Sequence, residues 1–172
     1  INPNFQAGNT YTGEAYAWGG YDRYGGSREN TSWPNQGYTF PQRLALPTCP
    51  GGNNTSQYRE ELSRRYLAGI DCSGYVTRCW GMNNAFHPHN TTSLFQSGVC
   101  LELGDYDKLK PGDILDNPGD HVVLFHEKKT DGTIKVYEAR PPNVVYRSFA
   151  YNPWNYLPLT PFPIFVDWSL PN

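Results

Sequence analysis

Hydrophobic and polar positions change rhythm along this chain. Residues 1–56 are rich in Gly, Asn, Tyr and Pro and sustain no 3.6-residue period, which predicts loops and turns. The run "SQYREELSRRYLAG" then spaces Tyr58, Leu62 and Tyr66 by four, with Ser56 as N-cap and Gly69 as stop, and so predicts a short amphipathic helix. In "DCSGYVTRCWG", Asp71 caps, Val76 and Cys79 stand three apart, and Gly81 falls past the end. This predicts a second helix, opened by Cys72. From Pro111 onward the runs "GDILD", "HVVLFHE", "TIKVYEA", "NVVYRSF" and "FPIFVDW" are short, β-branched and aromatic, separated by Gly, Pro, Asn and Asp. They predict an antiparallel sheet, with "KTDGT" at 129–133 as a hairpin turn carrying Asp-Gly at its tip. Helices followed by sheet define an α+β fold, and the absence of internal repeats makes 1–172 a single domain.

Composition narrows the function classes. A chain of 172 residues can bury roughly 70% of its unfolded surface and needs no metal or disulfide staple. A net charge of -2 gives no electrostatic footprint for nucleic acid, and no run of 18 apolar residues is present to span a bilayer. Charged residues make up 17% and aromatics 15%, a balance that fits an extracellular or envelope protein handling sugars or peptides, and equally an aromatic-rich core. The first residue is Ile1, not Met, which suggests a processed or trimmed chain and leaves room for an export signal before it. Sequons at Asn30, Asn53, Asn54 and Asn90 are the kind that Asn-rich loops generate by chance.

The cysteines at 49, 72, 79 and 100 lack both disulfide-framework density and the paired spacing of a zinc site, so no metal is expected. With Cys72 reserved as a thiol, at most one intramolecular disulfide remains, Cys100 with Cys49 or with Cys79. The reason to reserve Cys72 is its place in the first helical turn, where unpaired N–H groups and the helix dipole favour a thiolate. Cys79, mid-helix beside Val76, fits a buried structural cysteine better.

A thiol nucleophile needs a base, and the histidines are 87, 89, 121 and 126. His121 opens a strand directly after "NPGD", where a turn delivers a side chain to a cleft, whereas His126 falls on the opposite face by alternation. An imidazole in turn needs a group to orient it. Glu138 shares a face with Ile134 and Val136, an odd place for a carboxylate without a partner; the alternative is an edge strand that leaves it in solvent.

"YAWGG" (16–20), "DCSGYV" (71–76), "LKPGDIL" (109–115), "HVVLF" (121–125) and "YEA" (137–139), in that order, resemble the NlpC/P-sixty family of papain-like cysteine peptidases of bacterial cell-wall turnover. The resemblance covers about residues 13–140, apart from an insertion at about 21–69. It implies a papain-like NlpC-type fold: N-terminal helices, with the cysteine at a helix start, packed on a C-terminal antiparallel sheet. It also implies Cys72 as nucleophile and His121 as base. Glu138 stands where the family usually has His, Asn or Gln, so it is a departure from the pattern. Tyr16, Asp71 and Ser73 match positions that line the cleft or bind substrate. The implied reaction is hydrolysis of the γ-D-glutamyl to diamino acid amide in peptidoglycan stem peptides or muropeptides, without a cofactor, by a secreted, periplasmic or cell-wall associated enzyme. A CHAP-type amidase and a non-catalytic peptidoglycan- or glycan-binding module are the alternatives. The insertion carries Trp33, Tyr38, Phe40 and Tyr58; it is expected to be ordered and to narrow the cleft, the alternative being a scaffold extension that packs behind the Cys72 helix.

Overall fold

The structure, a computed structural model, describes residues 13, 15–17, 20, 69–82 and 89–163. Among these residues the architecture is α+β. Helices α1 (Cys72–Cys79) and α2 (Thr91–Gln96) precede strands β1 (Cys100–Glu102), β2 (Ile114–Asn117), β3 (His121–Lys128), β4 (Ile134–Arg140), β5 (Asn143–Ser148) and β6 (Leu157–Pro161). The strands form one sheet in the order β1-β6-β2-β3-β4-β5, antiparallel at β1–β6, β6–β2, β2–β3 and β3–β4. The insertion expected at about 21–69, its helix and Cys49 lie outside the described residues, apart from Gly69. The described residues divide between two compact units. One holds those up to Tyr75 together with Ala139–Val145, and the other those from Val76 to Glu138 and from Tyr146 onward.

In the first unit the segment 15–17 lies between two others. Ala15 bridges antiparallel to Asn143 and Tyr16 parallel to Ile70. The Ala17 N–H donates to Ile70 C=O at 3.1 Å, and the Ile70 N–H to Ala15 C=O at 2.9 Å. This approach leaves no room for side chains at the glycines. A Cβ on Gly69 would lie 2.5 Å from the Ala15 carbonyl oxygen, and one on Gly20 2.3 Å from that of Gly69. Tyr16, Ile70, Ala139 and Val144 pack as a small core with Tyr75 against it.

In the second unit, alternation along the sheet separates two faces. Leu115 stands opposite Val123, and Phe125 opposite Val136, so these residues share a face, which they fill with Tyr156, Phe149 and Tyr151. Ile114 and Asp116, opposite Leu124 and Val122, belong to the other. The "KPGD" turn before β2 is stitched down by its acid: Asp113 accepts the Lys110 N–H at 2.7 Å, and the Phe125 N–H reaches the Asp113 carbonyl at 2.8 Å. The buried Trp80 indole donates to Gly112 C=O at 2.8 Å and ties the end of α1 to this turn.

The expected hairpin forms at 129–133, closed by Gly132 N–H to Lys129 C=O at 2.9 Å. Three elements differ from expectation. Helix α2 arises where Asn90 had only a sequon reading: its side chain accepts the Ser93 N–H while the Ser93 hydroxyl accepts the Asn90 N–H, a capping box. Strands β1 and β6 were not anticipated, and β6 is "LPLTP", ahead of the predicted "FPIFVDW", most of which lies outside the described residues. Two prolines argue against a strand inside a sheet. Here Pro158 C=O accepts from Leu103 N–H at 2.8 Å, so its missing donor also faces the β1 side, just beyond the end of β1. The ladder to β2 loses nothing at that position. Pro161 is the last residue of the strand.

Asp116 is fully buried, and among the described residues neither carboxylate oxygen has a hydrogen-bond partner. Burial pushes its carboxyl up to about 8. Between the unfolded value and this folded value the native chain keeps a proton that the unfolded chain releases, so Asp116 lowers stability progressively as pH rises from about 4 to about 8. Asp116→Asn, of similar size and without charge, should flatten this slope. Denaturation midpoints of the two proteins at pH 5 and pH 8 measure it, and an equal fall in both would show that Asp116 is not its source.

Candidate active site

His121 reaches its position through a turn. In "NPGD" the Asp120 N–H donates to Asn117 C=O at 3.0 Å, and Gly119 has φ +88, the conformation that a turn with Pro then Gly at its centre requires. The Gly119 N–H donates to the Thr91 hydroxyl at 2.9 Å, fastening the turn to the start of α2. His121 is therefore the first residue of β3, as its sequence position implies.

Phe125 pairs with Val136, so alternation places His121, Val123, Val136 and Glu138 on one face. Glu138 is fully buried, not the solvent-facing residue of an edge strand. His121 Nε2 lies 2.9 Å from Glu138 Oε1, and its side chain is 17% exposed. Two further groups converge on the carboxylate. The Tyr151 hydroxyl donates to Oε1, and Arg147 Nη1 lies 3.6 Å from Oε2. The Tyr151 ring is held in turn, with centroids 5.5 Å from His121, 5.6 Å from Phe149 and 5.3 Å from Tyr156. A buried carboxylate is costly without donors or opposite charge; His121 and Tyr151 supply hydrogen bonds to Oε1, and Arg147 supplies a positive charge near Oε2. Sequence reasoning missed Tyr151 and Arg147. "YRSFAYNPW" shows strand alternation and turn residues but no spacing that points to Glu138.

His126 is the residue at which the β3–β4 register shifts, between Phe125 and Glu127. It packs edge-on to Tyr137 and Tyr146, with centroids 5.3 and 5.4 Å away, and Tyr137 pairs with Leu124 on the face opposite His121. The two histidines are thus separated as alternation predicts.

Cys72, Asp71, Ser73 and Tyr16 lie in the first unit. Cys72 is the first residue of α1 and is buried. Asp71 caps the helix as expected: its Oδ1 accepts the Gly74 N–H at 2.7 Å and the Ser73 hydroxyl at 3.3 Å, while its C=O takes the Tyr75 N–H at 2.9 Å. The bridge between Tyr16 and Ile70 brings "YAWGG" beside "DCSG", and Tyr16 itself is buried in the small core. Among the other thiols, Cys79 is exposed and not the buried structural cysteine its mid-helix position suggests, whereas Cys100 is a buried free thiol. Burial, with the nearby Asp116 and Asp113, pushes Cys100 up to about 12. Among the described residues no group of three or more His, Cys, Asp or Glu side chains is placed to hold a metal ion, and no helix is long and apolar enough to cross a membrane.

Comparison of the chain with family models, with curated proteins and with solved structures finds no match.

The network makes Glu138 a stability determinant. Glu138→Ala leaves His121 and Tyr151 without their acceptor and Arg147 without its counter-charge, and should cost about 3 kcal/mol or more, as breaking a buried pair does. Glu138→Gln keeps an acceptor oxygen and should cost less. Denaturant unfolding of both variants checks the ranking; wild-type midpoints in both would mean that the buried network contributes no stability.

Proposed function

We propose that the chain is a cysteine peptidase of the NlpC type, with Cys72 as nucleophile, His121 as general base and Glu138 as the group that orients His121. The observation that carries this reading is the His121–Glu138 pair: an imidazole held at 2.9 Å by a carboxylate with no exposed surface, on the face of β3 that opens directly from a turn. With Nε2–H donated to Glu138, Nδ1 is the nitrogen left to take a proton. The ordered motifs around Cys72 and His121 support the same assignment.

In this mechanism the Cys72 thiolate attacks the amide carbonyl and forms a C–S bond. The imidazolium of His121 gives its proton to the departing amine as the C–N bond breaks. Water, deprotonated by His121, then cleaves the thioester and restores the thiol. Backbone N–H groups at the start of α1, that of Cys72 first, would face the oxyanion. Asp71 bears on how the thiol is activated. It occupies the Gly74 N–H and puts a negative charge at the helix start, which offsets the positive helix end that would otherwise favour a thiolate. Activation of Cys72 therefore falls mainly to the His121 imidazolium.

The substrate class is the γ-D-glutamyl to diamino acid link of peptidoglycan stem peptides, in a secreted or cell-wall setting, with Tyr16, Asp71 and Ser73 near the substrate. Digestion of purified peptidoglycan, with products identified by mass, tests it. Cys72→Ala and His121→Ala should each lose at least about a hundredfold in rate while remaining folded, as expected for loss of a nucleophile or base. His126→Ala should keep most of the activity. Turnover by Cys72→Ala at the wild-type rate would sink the mechanism, products cut at the sugar-to-peptide amide would favour a CHAP-type amidase, and binding without products a glycan-binding module. A thiol-directed reagent at pH 7 should modify Cys72 well ahead of Cys100, whose thiol stays protonated at that pH. Faster labelling of Cys100 would contradict this.

A further inference from the structure

We propose that Tyr151 and Arg147 are positioning residues for His121: they hold the Glu138 carboxylate in one orientation and charge state, and so decide which imidazole nitrogen carries the proton. The use of that proton in catalysis rests on the peptidase reading; the positioning itself does not.

The geometry points to a division of labour on the two carboxylate oxygens. Oε1 receives both the Tyr151 hydroxyl and His121 Nε2, which fills the two acceptor sites of one oxygen. Oε2 faces the Arg147 guanidinium at 3.6 Å. The terminal torsion of a glutamate is broad and two-fold, so a single donor would leave the carboxylate free to turn. Two donors on Oε1 and a cation at Oε2 remove that freedom. Tyr151 can do this because its own ring is packed between His121, Phe149 and Tyr156.

Charge is the second part. Among the described residues, the charged and titratable groups on this carboxylate are His121 from β3, Arg147 from β5 and Tyr151 just after β5. A lone buried carboxylate would bind the His121 proton tightly, and a base that cannot release its proton cannot serve as the acid for a leaving amine. Arg147 partly neutralises Glu138 and weakens that hold. Its side chain is 33% exposed, so its influence is moderated by solvent but not removed.

Histidine titration by NMR on the whole chain, without substrate, tests this. Wild-type His121 should show one neutral tautomer, protonated at Nε2. In Arg147→Gln the shared proton should be held more tightly, with the midpoint rising by about one pH unit, a tenfold gain in proton affinity. Arg147→Lys should return it most of the way. In Tyr151→Phe, which keeps the ring and loses only the hydroxyl, the midpoint should also rise and the second tautomer should appear. Wild-type midpoint and tautomer in folded Arg147→Gln and Tyr151→Phe would overturn the proposal. If Arg147→Gln does not fold, Tyr151→Phe decides alone. The readout needs no turnover, so failure to cleave peptidoglycan would count against the peptidase reading and leave this result standing.

Discussion

A carboxylate withdrawn completely from water persists only where donors or opposite charge reach it, and Glu138 has three groups around it: the His121 imidazole and the Tyr151 hydroxyl hydrogen-bonded to Oε1, and the Arg147 guanidinium 3.6 Å from Oε2. Each comes from a different part of the second unit. The pairing of Phe125 with Val136 puts His121 and Glu138 on the same face, the turn at 117–120 starts β3 at His121, and the return of the chain after β5 brings Tyr151 back over both. A slip of one residue between β3 and β4 would send Glu138 to the other face and leave all three groups without it. The network is therefore a constraint on register as much as a candidate site.

Asp116 shows what the same sheet does without such partners. It too is fully buried, on the face opposite Glu138, between Val122 and Leu157 on the neighbouring strands. Among the described residues neither of its oxygens has a donor, and burial raises its carboxyl to about 8, so at neutral pH it sits mostly as a neutral acid. Two buried acids in strands separated only by β3 thus have opposite electrostatic settings, and the difference lies in what converges on them and not in depth.

The first unit meets a different requirement, close backbone approach. Ala15 and Tyr16 can lie against Ile70 because Gly69 and Gly20 carry no Cβ where carbonyl oxygens stand 2.5 Å or less from its place. That arrangement brings the segment of Tyr16 beside the residue preceding Asp71, and Asp71 then starts α1 by capping it. The acid that makes the helix begin at Cys72 also places negative charge near the thiol. Helix start and thiolate stabilisation pull in opposite directions there, which is why the proposed chemistry leans on an imidazolium and on whatever sets its proton affinity.

Local rules were enough for much of this. The cap at Asp71, the helix over Cys72–Cys79, the hairpin at Asp131-Gly132 and strands β2 to β5 follow from capping, turn chemistry and period-two alternation, all properties of a few consecutive residues. The same alternation separated His121 from His126 and put Glu138 on the face of Ile134 and Val136, while its burial was decided by the fold. Other features depended on residues far apart in the chain. Strand β6 exists despite Pro158 because that missing N–H faces the space beyond the end of β1, and β1 is a three-residue strand with no pattern of its own. Tyr151 and Arg147 reach Glu138, and no described residue hydrogen-bonds Asp116, for reasons of strand order and chain return. The sequence by itself determined which faces the residues of each strand would present, because alternation is written into the backbone; which side chains meet across the sheet was decided only by tertiary structure, because strand order and register arise from packing the whole unit.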